Sequence, residues 1–155
     1  MSASLSTTFD ESEPIYTIGV AAKKLGVSVP TLRMYEMAGL ILPFRTPTGR
    51  RIYSHEEIKR IECLRSMLKE DGLNLASIRR LIALLPCWEL KPCREEMRNN
   101  CEAYVEDTKP CWELDSRPGV HDKDECRHCQ VYRKSLECSR EMKALFKKIS
   151  YGAAS

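Results

Sequence analysis

Seven cysteines lie between Cys87 and Cys138, and only Cys63 stands outside that stretch. Thiolates are soft ligands, suited to zinc or to iron–sulfur clusters, and they also carry thiol–disulfide chemistry. In a secreted chain this density reads as a disulfide framework; in a cytoplasmic one it reads as a metal site or redox chemistry. Cys126 and Cys129, two residues apart, make a good two-ligand knuckle. Cys87, Cys93, Cys101 and Cys111 are separated by five, seven and nine residues, and fourteen more precede Cys126. Those spacings fit no standard zinc finger or ferredoxin pattern. Cys87, Cys93, Cys101, Cys111, Cys126 and Cys129 are the candidate ligands; they exceed one tetrahedral site by two, which allows one closed zinc with spare thiols or a four-ligand cluster. His121 and His128 could substitute, Cys138 is a candidate ligand or redox partner, and Cys63 reads as an ordinary packed thiol. Three roles stay open for the region: a metal or cluster, structural or sensing; a thiol–disulfide switch; inert packing.

The pentapeptide Pro-Cys-Trp-Glu-Leu occurs twice, at 86–90 and 110–114, and the copies hold the only two tryptophans, Trp88 and Trp112. Both are expected to shield the site and pack. The run Cys87-Trp-Glu, Cys93, Cys101-Glu-Ala-Tyr, Cys111-Trp, then Cys126-x2-Cys129-Gln-Val-Tyr resembles a two-CW domain, a small Cys-rich module appended to bacterial sensory and regulatory proteins. The match is poorer between Cys111 and Cys126, and the resemblance names no ligand.

The region from 86 to 129 has too little aliphatic side chain for a core of its own, so a metal or crosslinks are expected to help hold it. What precedes it is different in kind. Thr17–Leu25 reads as a short helix with Ile18, Ala21, Ala22 and Leu25 on one face, and Gly26 breaks it. Ser28 caps a second helix with Pro30 in its first turn, closed by Gly39. Helix, short turn, then a helix with a polar, basic face is the helix-turn-helix layout. Pro43, Pro47 and Gly49 exclude helix from Leu40 to Tyr53. Ile41–Leu42 and Arg51–Tyr53 could flank a hairpin carrying Arg45, Arg50 and Arg51 at or near its tip. Ser54 with Glu57 makes a capping box for a third helix bearing Ile58, Ile61, Leu64 and Leu68. Asn74 caps a fourth, with Ile78, Leu81, Ile82 and Leu85 inward, ended by Pro86. Val131, Leu136, Met142, Leu145, Phe146 and Ile149 form a broken stripe for a helix over 130–150.

The order Thr17-Ile-Gly-Val-Ala-Ala-Lys-Lys-Leu-Gly-Val-Ser-Val-Pro-Thr-Leu-Arg-Met-Tyr-Glu, Gly39-Leu, Pro43, Arg45, Gly49-Arg-Arg-Ile-Tyr-Ser resembles the MerR family of bacterial regulators. The resemblance implies a winged helix-turn-helix whose second helix enters the major groove of double-stranded DNA while the wing presses on the flanking backbone. It also implies a homodimer on a near-palindromic promoter, activation by distorting the DNA between promoter elements, and RNA polymerase as an indirect partner. Two departures stand out. Many relatives have Gly-Tyr-Arg at the wing tip, where this chain has Gly49-Arg50-Arg51, and Pro86 stops the long dimerisation helix that usually follows, leaving residues 130–150 as the possible dimer contact.

Residue chemistry agrees with DNA as partner. Ser28, Thr31 and Arg33 are placed to reach base edges and phosphates, and Tyr35 offers a hydroxyl to a phosphate. Arg50 and Arg51 can neutralise phosphates, so removing the Arg51 side chain is expected to flatten the salt dependence by about one unit of slope. Charge follows the same division: residues 14–85 carry 12 Lys/Arg against 6 Asp/Glu, and residues 86–129 carry 7 against 11. A polyanion partner suits the first segment only.

The expected architecture is mainly α: a disordered tail over 1–13, a winged helix-turn-helix of four helices plus a β-hairpin wing over 14–85, a Cys-rich module over 86–129 and a C-terminal amphipathic helix over 130–155. No apolar run approaches a membrane span, and the polar, acidic start is no secretory signal, so a cytoplasmic protein is expected. Nothing looks catalytic: there is no Ser/His/Asp set and no phosphate loop. The expected function is a DNA-binding regulator whose Cys-rich module holds zinc or an iron–sulfur cluster and senses metal or redox state. Two alternatives are a metal-carrying or redox protein whose head binds protein, and a DNA-binding regulator with a purely structural zinc module.

Overall fold

Four helices of the head each begin at a side-chain cap, as the sequence spacing dictates. In α1 (Ile18–Leu25) Thr17 accepts from the Val20 amide, and in α2 (Val29–Met37) Ser28 accepts from Thr31. In α3 (His55–Lys69) Ser54 accepts from Glu57, and in α4 (Leu75–Ala83) Asn74 accepts from Ser77. Each cap satisfies an amide that has no partner within its helix. Gly26 at φ 64° and Gly39 at φ 74° close α1 and α2 in the left-handed region. The computed structural model describes residues 8–91, 93–115, 123–136, 143, 144 and 147.

Three short strands, β1 (Pro14–Thr17), β2 (Phe44–Arg45) and β3 (Arg51–Ser54), form an antiparallel sheet in the order β1-β3-β2. The expected hairpin forms, but its first strand is not Ile41–Leu42. Leu40, Ile41 and Leu42 are all buried, and three consecutive inward residues cannot follow the alternation of a strand at a sheet surface. They are a core-filling linker instead. β1 was unforeseen, because four residues, alternately half-buried and exposed, give too short an alternation to read. Phe9 and Glu11, within the disordered tail expected over 1–13, instead make contacts with the head. The Glu11 carbonyl accepts from the Glu56 amide at 3.0 Å, the Glu11 carboxylate pairs with Lys59 at 2.8 Å, and Phe9 meets the His55 ring edge-on.

The head packs around Leu32, Leu40, Ile41, Tyr53, Ile61, Leu64 and Ile78, all fully buried. Arg65 of α3 donates to the Leu25 carbonyl at the end of α1. Leu81 is exposed rather than inward, since α4 packs through Ile78 and Ile82, with buried Leu85 just beyond its end.

Beyond Pro86 the chain breaks into short pieces: α5 (Cys87–Leu90), α6 (Glu95–Arg98), α7 (Glu102–Val105), a 3-10 turn (Cys111–Glu113), α8 (Lys123–His128) and α9 (Gln130–Lys134). Trp112, Cys126, Tyr132 and Leu136 join the head's own hydrophobic cluster. The scarcity of aliphatic side chains is thus met by docking on the head. Of the helix expected over 130–150, the described residues show α9, closed at Ser135, and helical Lys143, Ala144 and Lys147, and Val131, Tyr132 and Leu136 are buried. These three therefore pack within the chain rather than offering a face to a second copy. Cys138, Met142, Leu145, Phe146 and Ile149 lie outside the described residues. Among the described residues, no helix is long and apolar enough to cross a membrane.

Candidate nucleic-acid interface

The start of α2 and the wing tip carry the exposed polar groups. Ser28 is exposed, and its hydroxyl both caps α2 and lies 2.8 Å from the Thr31 hydroxyl. Arg33 points from the exposed face of α2. Thr46 and Arg50 close the wing turn, with the Thr46 amide donating to the Arg50 carbonyl at 2.9 Å and the Arg50 amide to the Thr46 hydroxyl at 3.0 Å. Arg33 and Arg50 are exposed and form no ion pair among the described residues.

The other two wing arginines are engaged. Arg45 pairs with Glu36 Oε1 at 2.8 Å and donates to the Gly49 carbonyl at 3.2 Å, while Arg51 donates to Glu36 Oε2. One carboxylate of α2 thus holds both strands of the wing. Arg51 is half-buried in this bridge and braces the wing. Glu36 itself was missed; the signal was an acid on an otherwise neutral-to-basic helix facing an arginine-rich hairpin. Tyr35 corrects a further expectation. Its ring is in the core with 4% of its surface exposed, and burial raises the pKa of its hydroxyl, so it packs rather than reaching for a phosphate.

Behind these elements the Cys-rich region grips the linker that joins α2 to the wing. Trp112 Nε1 donates to the Gly39 carbonyl at 2.7 Å, and Arg127 Nε donates to the Leu42 carbonyl at 2.9 Å. The Leu42 amide donates to the Tyr132 hydroxyl at 2.8 Å, and that hydroxyl donates onward to Glu57. Arg60 donates twice to the Leu40 carbonyl, at 3.0 and 2.9 Å, and also to the Tyr132 carbonyl and Ser135 hydroxyl. Its guanidinium lies 3.8 Å from the Tyr132 ring centroid. Gly39 is needed on two counts. Its φ is positive, and a Cβ there would overlap the Glu113 carboxylate, which pairs with Arg79.

Glu57 was expected to close a capping box. Its side chain instead turns inward to Tyr132 and Arg60, because a buried hydroxyl and guanidinium need an acceptor more than an accessible helix start does. Glu57 and Arg60 were legible as charges interrupting the apolar stripe of α3. Burial raises the Glu57 pKa above 4.5, with Arg60 and the Tyr132 hydroxyl opposing that shift. A raised carboxyl pKa favours the fold below the unfolded value and loses that contribution as pH rises through the folded value. Glu57→Gln removes this dependence. In urea unfolding from pH 4 to 8, the variant is expected to gain on the wild type as pH rises; parallel curves would refute the assignment.

The thiols fall into two groups. Cys87, Cys93, Cys101 and Cys129 are free, and burial raises the Cys87 pKa, with the neighbouring Cys101 and Cys93 adding to it. Cys87 and Cys111 line one crevice with Trp112 and Val131. Cys126 is buried against the head. Among the described residues no three His, Cys, Asp or Glu side chains converge on one metal-holding point. Cys63, read as a packed thiol, is in a disulfide. His128 stacks edge-on against Phe44, and His121 lies outside the described residues. The two Pro-Cys-Trp-Glu-Leu copies fold differently, one as α5 and one as the 3-10 turn, yet each tryptophan meets a tyrosine at 5.0 Å: Trp88 with Tyr104, Trp112 with Tyr132.

Residues 16–85 match the family model described as MerR HTH family regulatory protein. Over 74 residues, 48% of the chain, it is 39% identical to a protein named as heat shock protein HspR of Streptomyces coelicolor, covering 49% of that protein. It is 38% identical over 81 residues to the mercuric resistance operon regulatory protein of Bacillus cereus, spanning 52% of the chain and 60% of the relative. It is 35% identical over 75 residues to the HTH-type transcriptional regulator TnrA of Bacillus subtilis, spanning 46% of the chain and 67% of the relative. The chain thus spans about half the length of the first of these relatives, and the family model's match lies in the head.

Proposed function

The chain belongs to the MerR family of helix-turn-helix regulatory proteins, and from that premise we propose that it is a transcriptional regulator binding double-stranded operator DNA through α2 and the wing. The observation that carries this is the exposure of Ser28, Arg33 and Arg50 on one helix start and one hairpin tip that Glu36 ties together. In this reading Arg33 reaches base edges or phosphates from α2. Arg50 neutralises a flanking phosphate, Ser28 and Thr31 add short polar contacts, and Arg45 and Arg51 brace the wing. The regulator acts as a homodimer on a near-palindromic site and touches RNA polymerase only through the DNA.

The salt titration tests it. Each phosphate neutralised contributes about 0.9 to the slope of log Kobs against log salt. Arg50→Ala is expected to flatten that slope by about 0.9, and Arg51→Ala by less while weakening binding, since its loss loosens the wing. An Arg50→Ala variant with an unchanged slope removes the wing from the interface.

We further propose that the Cys-rich region receives a metal or redox signal, with zinc or an iron–sulfur cluster on Cys87, Cys93, Cys101, Cys111, Cys126 and Cys129 as the cofactor. Its support is donor chemistry: soft thiols confined to one region of the chain. Among the described residues the thiols do not form a ready cage, so a bound ion would have to gather them. Metal and sulfide content after anaerobic purification is the test, and a colourless, metal-free protein that stays folded and keeps its operator affinity excludes the cofactor. One observation favours a structural role for this region instead, namely that Trp112 and Tyr132 complete the head's core. Operator affinity that ignores both chelator and oxidant would support that second reading.

A further inference from the structure

The linker Gly39–Leu42 joins α2 to the wing; Glu36, Tyr35 and Arg60 of the head hold its Gly39 amide and its Leu40 amide and carbonyl, and three further backbone groups are held from outside the head. Gly39 O is held by Trp112, Leu42 O by Arg127 and Leu42 N by Tyr132. The linker is short and buried, so its path fixes the offset between the end of α2 at Met37 and the start of β2 at Phe44. Arg127 also lies 4.9 Å from the Phe44 ring centroid, so the grip extends into the wing itself. Each gripping residue is close in sequence to a cysteine: Trp112 follows Cys111, Arg127 lies between Cys126 and Cys129, and Tyr132 lies three beyond Cys129.

We propose that Trp112, Arg127 and Tyr132 are positioning residues for operator recognition, which set the spacing between recognition helix and wing without touching DNA. The proposal rests on the DNA-binding reading above. Its physical basis is that base readout needs α2 and the wing to be seated together, whereas phosphate attraction needs only their charge. Loosening the linker therefore lowers specific affinity while leaving non-specific affinity in place. The Cys-rich region thereby becomes part of the DNA-binding machinery, and a change at its cysteines reaches the interface through three hydrogen bonds to one linker.

The test uses the full chain. A duplex is first selected from a random-sequence library with the wild-type protein and then paired with a scrambled duplex of equal length. Trp112→Phe keeps an aromatic ring against Tyr132 but deletes the donor to Gly39. Arg127→Lys keeps the charge but removes the Nε donor to Leu42. Each variant is expected to bind the selected duplex about tenfold more weakly, the scale of one lost hydrogen bond in a dry setting. Affinity for the scrambled duplex should be unchanged. Hydroxyl-radical footprints should lose protection under the wing while keeping it under α2. A merely structural role predicts instead equal losses on both duplexes, in proportion to the fraction unfolded by circular dichroism, and that result overturns the proposal. So does a folded Arg127→Lys with wild-type affinity and footprint. A wild-type chain that selects no sequence and retains neither duplex overturns the DNA-binding reading, and this proposal with it.

Discussion

Arg60→Met is expected to destabilise the folded chain by about 3–5 kcal/mol, the scale of a buried ion pair broken from one side. Arg60 is 7% exposed and serves the Leu40 carbonyl, the Tyr132 carbonyl and the Ser135 hydroxyl, with Glu57 at 3.9 Å. Methionine fills much of the volume but donates nothing, so the Leu40 carbonyl loses both its hydrogen bonds from Arg60, the Tyr132 carbonyl keeps only Ser135, and Glu57 keeps a charge without its partner. The deficit has a pH signature. Burial already favours the neutral carboxyl of Glu57, and Arg60 opposes that. Without Arg60 the carboxyl protonates more readily, so the loss should be smaller near pH 4.5 than at pH 7. Urea unfolding at both pH values reads this directly. The pair Arg60→Met with Glu57→Met should recover part of the loss, because no lone charge is left behind. A single variant that loses under about 1 kcal/mol at both pH values would mean that water replaces the guanidinium.

The second large effect separates two residues that the sequence makes identical. Trp112→Ala is expected to cost about 3–5 kcal/mol, the range for truncating a buried aromatic. Trp112 is 2% exposed, contacts the head's cluster and donates to Gly39. Trp88→Ala is expected to cost roughly 1 kcal/mol, since Trp88 is only half-buried and its ring contact is with the exposed Tyr104. Thermal unfolding of both variants checks the contrast. Equal losses would show that the two copies of the pentapeptide are buried alike, and the docking of the second copy on the head would then be wrong.

Local features carried the head. Thr17, Ser28, Ser54 and Asn74 cap their helices because a side-chain oxygen two or three residues ahead of an orphan amide acts within one turn, whatever the rest of the chain does. Gly26 and Gly39 end helices for an equally local reason, the absence of a Cβ at positive φ. The wing arginines, the helix-turn-helix order and the match over residues 16–85 were all legible in this way. Where apolar periodicity ran across several turns, as at Ile58, Ile61 and Leu64, the inward face followed from it.

The rest required the tertiary structure, since it depends on residues far apart in sequence. Glu57 satisfies its local capping spacing, yet its side chain answers to Tyr132, 75 positions away. Tyr35 sits on α2 two positions beyond the exposed Arg33, yet the core claims its ring. Arg45 and Arg51 look like phosphate ligands until Glu36 meets them across the turn. The cysteines that could do chemistry were plain from their types and spacing. What the sequence could not show is that Trp112, Arg127 and Tyr132, standing among or just beyond them, hold the linker between α2 and the wing. A hydrogen bond to a backbone carbonyl leaves no trace in the residue that supplies the carbonyl, because every residue has one.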